Sequence, residues 1–240
     1  WSVKFCTFSA SVISLGCSTG LATSLTGAGF LAVGILILDI SATEQNREPN
    51  FKLIKNISEV ARMPVAYGGG VKSEKQALEI FSSGIEKISV NSLFFENKEE
   101  IKKIINSVGS QSLVVTFDIK KIKNNYHIVS HRGKFFVTDN IHSTIERAEQ
   151  IGVGEIIINN VDRDGTMNGY DKELIKIAVE NTAIPIIGAG GAGTFDHLKD
   201  VFLQTDVSAL ACGSLFNFGD NNPIRAKAFL TNYSIPFKVI

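Results

Sequence analysis

The chain carries no surplus of either charge: 24 lysines and arginines face 24 aspartates and glutamates. Its one basic run, KKIKNN at Lys120, is short and reads as a solvated loop. Without a basic patch there is no electrostatic footprint for nucleic acid. Cysteine is scarce. Cys6, Cys17 and Cys212 are odd in number and widely spaced, which excludes a disulfide framework or a metal-ligand pattern and fits a reducing, cytoplasmic setting. HExxH, a P-loop and a strand-turn-helix serine motif are all missing, and GAGF at Gly27 is too short for a dinucleotide fingerprint. Neither a metal nor a cofactor is expected. Residues 5–38 contain no charge, yet serines, threonines and glycines interrupt them and no basic segment precedes them. GFLAVGILILD offers only about ten apolar residues, the length of a buried strand and its approach rather than of a membrane span.

From Gly34 onward a rhythm is present. Short β-branched runs (GILILDI, MPVAYGG, KISVNS, SLVVTFDI, EIIINNV, IPIIGAG, SALACGS) alternate with amphipathic stretches such as NFKLIKNISEVA, SEKQALEIFSSG and KELIKIAVEN. Continuous apolar strands alternating with helices predict a parallel sheet with helices outside. Seven such strands are visible, with NNYHIVSHRGKFFV as a hairpin-like extension; seven is one short of a (β/α)8 barrel.

An internal repeat sharpens this prediction. LIK at Leu53 recurs at Leu174, an offset of 121 residues that also places Pro64 on Pro185, Gly69 on Gly190, Gly70 on Gly191 and Phe81 on Phe202. One inserted residue later, NSLF at Asn91 falls on GSLF at Gly213. The expected architecture is a single (β/α)8 domain over 1–240 made of two similar half-barrels: an atypical 1–34, the rest of the first half over 35–120, and the second half over 121–240. The partner of Asp118 would fall at position −3, so the first strand is expected to be missing or altered.

In such a barrel the working face lies where strands end and helices begin. Gly68-Gly69-Gly70 and Gly190-Gly191 let backbone N–H groups approach a ligand just before helix N-termini, an arrangement that suits phosphate. Being repeat-related, the two runs would face each other across the mouth and fit a substrate with a phosphate at each end; tight turns alone are the alternative. Asp39 and Asp118 end strands, and Asp164 follows one. Three acids at one mouth suit proton transfer, whereas each alone would serve as a helix cap. DRDGT supplies acids (Asp162, Asp164) and phosphate donors (Gly165, Thr166) from one loop. His127, His131, His142 and His197 have neither nucleophile nor ligand spacing and are read as solvent-exposed.

LDISAT, YGGGV, EKISVNS, GSQSLVVTFDIKK, GEIIINNVDRDGTMNGYD, PIIGAGGAG and ACGSLFNF, running from about Leu36 to Phe218, resemble in order the cyclase subunit of imidazole glycerol phosphate synthase. That resemblance implies a barrel of two half-barrels and a lyase of histidine biosynthesis. Such a cyclase takes ammonia from a glutaminase partner and converts a bis-phosphorylated ribonucleotide into imidazole glycerol phosphate and an aminoimidazole carboxamide nucleotide. It implies Asp118 as the strand-five catalytic aspartate, with Asp39 and Asp164 as supporting acids. Gly70, Asn91 and Ser92 would form one phosphate site, and Gly165, Gly191, Gly213 and Ser214 the other, with Gly190 from the glycine run. Lys87 and Glu155 would belong to the gate where ammonia enters.

Departures accompany it. The family's strand-one aspartate and the gate arginine would precede residue 1, and a gate glutamate falls on Gly34. SVKF at Ser2 resembles the end of the first loop, yet the following residues do not resemble the first helix, which suggests a reading-frame disturbance between about Cys6 and Gly34. NREPNF and GTMNGYD are closer to a cyclase-like branch that places an acetamidino group on surface polysaccharide. Two other readings are a sister sugar isomerase with the same twin phosphate sites and a subunit that docks a glutaminase without turnover; a barrel lacking a strand is also expected to be poorly soluble through its open sheet edges.

Overall fold

The apolar runs form strands whose two faces are both buried, and the period of two sorts their side chains. The computed structural model describes residues 15–16, 34–39, 42, 45–130, 135–137, 140–218 and 220–235. The strands are β1 (Leu15–Gly16), β2 (Ile35–Leu38), β3 (Val65–Gly68), β4 (Lys87–Val90), β5 (Leu113–Ile122), β6 (Asn125–Ser130), β7 (Phe135–Phe136), β8 (Glu155–Asn160), β9 (Ile186–Ala189) and β10 (Ala209–Leu210). The main helices between and after them are α1 (Phe51–Val60), α2 (Glu74–Ser82), α3 (Ser92–Glu96), α4 (Lys98–Val108), α5 (Ile141–Ile151), α6 (Lys172–Glu180), α7 (Phe195–Gln204), α8 (Ser214–Asn217) and α9 (Pro223–Thr231).

β2, β3, β4, β5, β8, β9 and β10 pair in parallel in that order, the alternating βα arrangement of the (β/α)8 barrel fold. Along β5, Leu113, Val115, Phe117 and Ile119 are fully buried in the core shared with the helices. Val114 joins Leu36, Ile157, Ile187, Ala209 and Ala211 in a second cluster inside the barrel. On its outer side β10 pairs with β1, antiparallel, with Leu15 opposite Leu210. Apart from Leu15, Gly16 and Gly34, the span of the suggested frame disturbance lies outside the described residues, as do Cys6, Cys17, GAGF and His131. Among the described residues no helix is long and apolar enough to cross a membrane.

β5 does not stop at Asp118. It runs on to Ile122, turns at Lys123 (φ 48°), and returns as β6, which in turn pairs with β7. This hairpin is the expected extension over NNYHIVSHRGKFFV.

The repeat survives as geometry. Ile35 N–H donates to Pro64 O at 2.9 Å, and Ile156 N–H to Pro185 O at 3.0 Å, 121 residues on. Asn50 caps α1 by accepting from Leu53 N–H with φ −83°, ψ 82°; Asp171 caps α6 from Leu174 N–H with φ −82°, ψ 91°. Ser73 and Thr194 cap α2 and α7 through Gln76 and His197 N–H in the same extended conformation. Even the reciprocal contact is kept: Gln76 Oε1 accepts from Lys72 N–H at 2.8 Å, and His197 Nδ1 from Gly193 N–H at 3.1 Å. His197, half-buried, is therefore a helix-capping residue.

Candidate active site

Past the carboxyl ends of the strands lies a cavity of about 500 Å3. Eight of the residues expected in the site line it: Asp39, Gly70, Asn91, Ser92, Asp118, Asp164, Gly190 and Gly213. The inward column of β5 brings Asp118 to it, since Val114, Thr116 and Asp118 alternate with core residues on the other face. Thr116 Oγ1 and Ser89 Oγ on β4 are hydrogen-bonded at 2.7 Å, forming a polar layer beneath Asp118.

Asp118 is held from both sides. Asn91, at the end of β4, donates Nδ2 to Oδ2 at 3.1 Å; Asn159, its register partner on β8, donates Nδ2 to Oδ1 at 2.8 Å. Burial raises the carboxyl to a pKa of about 6; the Asn159 hydrogen bond opposes the rise and the Asp164 charge adds to it. Asp164 is exposed in its loop, yet partial desolvation at the cavity raises its carboxyl as well, against a hydrogen bond from the Gly165 backbone. Asp39 is engaged differently: its Oδ1 forms an ion pair with Arg47 Nη2 at 2.6 Å and accepts from Ala42 N–H at 3.2 Å.

Two glycine turns shape the wall. Gly69 and Gly70 (φ 108° and 72°) and Gly190 and Gly191 (φ 90° and 105°) adopt backbone open mainly to glycine. At Gly191 the demand is packing, because a Cβ would stand 2.2 Å from Gly169 O, and Gly169 N–H donates to Gly191 O at 2.7 Å.

At the other end of the strands, Lys87 opens β4 and Glu155 opens β8. Their side chains form an ion pair across the base of β5.

A family model for histidine biosynthesis proteins matches residues 19–222. The imidazole glycerol phosphate synthase subunit HisF of Chlorobium limicola is 34% identical over 211 residues, 88% of this chain and 84% of the relative. A protein of Leptospira borgpetersenii, provisionally named as the same subunit, is 40% identical over 201 residues, 83% of this chain and 78% of the relative. A protein of Pseudomonas aeruginosa provisionally named subunit hisF2 is 40% identical over 188 residues, 77% of this chain and 74% of the relative. The chain belongs to the HisF family.

Other residues that the sequence offered for the site stand outside the cavity lining. Gly165 (φ 76°) is exposed, with open space where a Cβ would project. Thr166 donates its hydroxyl to Arg163 O at 2.8 Å, within its own turn. Ser214 is buried at the start of α8, behind Gly213. Asp162 turns away altogether: its Oδ2 accepts from Lys121 N–H at 2.9 Å and ties the β5–β6 hairpin to the loop after β8. The same seam continues through Tyr126 OH to Asp171 Oδ1 at 3.0 Å and from Asn160 Nδ2 to Asp171 Oδ2 at 2.8 Å.

The cavity also has members that the motifs did not single out. Asn159 is the plainest, sitting in the apolar-looking run EIIINN. Its signal was available, because an amide on the inward register of a barrel strand needs a partner. Cys212 lines the cavity but is buried against Tyr170 OH at 3.1 Å. Burial pushes its thiol up to about 12, so it stays neutral and un-nucleophilic.

Proposed function

We propose that the chain is an ammonia-using cyclase, a lyase that converts a bis-phosphorylated ribonucleotide into imidazole glycerol phosphate and an aminoimidazole carboxamide nucleotide in histidine biosynthesis. The observation that carries this reading is Asp118. A carboxyl titrating at about 6 on the cavity wall can both take and return a proton near neutrality, as ring closure by addition and elimination requires. Asp118 serves as general base and then acid. Asp164 is the second proton carrier, since its carboxyl is also raised and lines the same cavity. Asp39, engaged by Arg47, shapes the wall instead.

The substrate's two phosphates are held at opposite sides of the mouth. One lies by Gly70, Asn91 and Ser92, the other by Gly165, Thr166, Gly190, Gly191, Gly213 and Ser214; the Gly69/Gly190 symmetry supports this pairing. Holding both ends places the reactive carbon over the barrel axis. Ammonia comes from a glutaminase partner in the cytoplasm and enters past the Lys87–Glu155 pair at the opposite end of the strands. The chemistry is acid-base throughout and invokes no cofactor or metal.

A second reading keeps the ammonia and changes the acceptor to a surface-polysaccharide sugar. The Arg47–Asp39 pair favours it, because Arg47 comes from the NREPNF segment that resembles that branch. Ammonia-dependent turnover of the bis-phosphorylated ribonucleotide, abolished in Asp118→Asn, supports the first reading. A folded chain that activates a glutaminase but leaves the ribonucleotide intact rejects it.

A further inference from the structure

Asp118 is gripped at two positions where the internal repeat breaks. At the offset of 121 residues Asn159 corresponds to Leu38, and one residue further along Asn91 corresponds to Gly213. The backbone does not change with the side chain: Asn91 has φ −123°, ψ −79° and Gly213 φ −105°, ψ −72°. All four residues line the cavity, but only the two asparagines can hydrogen-bond through a side chain, and both spend an Nδ2 on the same carboxylate. Each of these two departures from the repeat places an amide on Asp118 from a neighbouring strand.

The orientation of those amides carries chemical information. An ionised carboxylate accepts on both oxygens and donates on neither, so two amide N–H groups, one per oxygen, match the charged form. A protonated Asp118 would have to surrender one of these contacts or turn its O–H away. Asn91 keeps its nitrogen on Asp118 although its Oδ1 is buried and accepts no hydrogen bond from the protein. The reverse orientation would suit only a protonated Asp118, whose O–H could donate to the amide oxygen.

We propose that Asn91 and Asn159 are a pair of positioning residues that hold Asp118 as an ionised, two-sided acceptor, so that it enters the reaction as a base. This rests on Asp118 being the proton carrier of the reaction proposed above. The groups facing Asp118 are otherwise Asp164 from the loop after β8, with Asp39, Glu96 and Lys72 elsewhere around the cavity. On β6 the nearest titratable residue in register is His127, opposite Lys120, and Lys87 and Glu155 sit at the far ends of the flanking strands. Asp164, the one charge among these that adds to Asp118, opposes ionisation, as burial does. The amides are therefore what keeps the base available as pH falls.

The test restores the symmetry. Asn159→Leu installs the near-isosteric residue of the first half, and Asn91→Gly the residue of the second. In the full-length chain labelled with 13C at aspartate Cγ, the Asp118 resonance is assigned by its loss in Asp118→Asn and titrated. Asn159→Leu is expected to move its midpoint up by about one unit, since a donor to the charged form has gone. Ammonia-dependent kcat should then fall about fivefold at pH 6 and recover above pH 8, with KM within about twofold. If Asn159→Leu does not fold, Asn91→Gly decides on the same titration. A midpoint unmoved in a folded variant overturns the proposal. Absence of ribonucleotide turnover by the parent chain would sink the pathway reading instead, while the titration still decides whether the amides hold the charge.

Discussion

Gly69 and Gly190 meet the same obstacle 121 residues apart: a Cβ on Gly69 would lie 2.2 Å from Asp39 O, and one on Gly190 would lie 2.6 Å from Asn160 O. Asp39 and Asn160 are themselves separated by 121 residues. In each half the chain leaving one strand passes directly beneath the turn after the next. Backbone cannot yield as a flexible side chain can, and both glycines have positive φ. Gly190→Ala should therefore cost upwards of about 2 kcal/mol, through strain and overpacking together. Gly165→Ala, with a φ of 76° but open space around its Cβ, should cost about 1 kcal/mol. Urea unfolding of the two variants checks the order; equal losses would contradict it.

The capping residues should be interchangeable between halves. His197 does for α7 what Gln76 does for α2, each accepting from the backbone N–H that precedes the cap. His197→Gln is expected to leave stability within about 0.5 kcal/mol, whereas His197→Ala should lose about 1 kcal/mol. Thermal melts of both variants at one pH measure the difference.

Asp118 should destabilise the resting fold. Its carboxyl titrates at about 6 in the folded chain and near 3.9 when unfolded, so between these values the folded state binds more protons. Its contribution is neutral below about pH 4, and stability is lost as pH rises through 6. Asp118→Asn should accordingly gain on the order of 2 kcal/mol at pH 7 and nothing at pH 4. A gain independent of pH would assign it to something other than ionisation. In turnover, the acid limb of kcat for the parent chain should lie near pH 6.

The Lys87–Glu155 pair is partly exposed at the foot of the barrel, so its loss should cost no more than about 1 kcal/mol. Under the proposed route Lys87→Met nevertheless alters glutamine-driven turnover with the glutaminase bound, while turnover on free ammonia changes less. Comparing the two nitrogen sources on one preparation separates passage from chemistry. Equal losses on both would remove the pair from the route.

Much of this arrangement was legible in the sequence because it is written in periods. Buried parallel strands announce themselves as apolar runs such as EIIINN and LVVTF, and the 121-residue register brought Gly69 over Gly190 before any coordinates. Side-chain direction was harder to read. DRDGT looks like one functional unit, yet Asp164 lines the cavity while Asp162 turns outward to Lys121 N–H, because successive loop residues share no period. The end of β5 was also misplaced. Asp118 is still paired with Asn159 in the barrel wall, and its strand continues to Ile122 because β6 offers it a ladder that only the folded hairpin provides. Asn159 was hidden by its neighbours, and comparing it with Leu38 would have revealed it.

The most direct measurement is ammonia-dependent conversion of the bis-phosphorylated ribonucleotide by the purified chain, beside Asp118→Asn. The account predicts measurable turnover that falls by a factor of roughly 10² to 10⁴ in the variant, with substrate binding largely retained. Turnover that survives in a folded Asp118→Asn chain would contradict it.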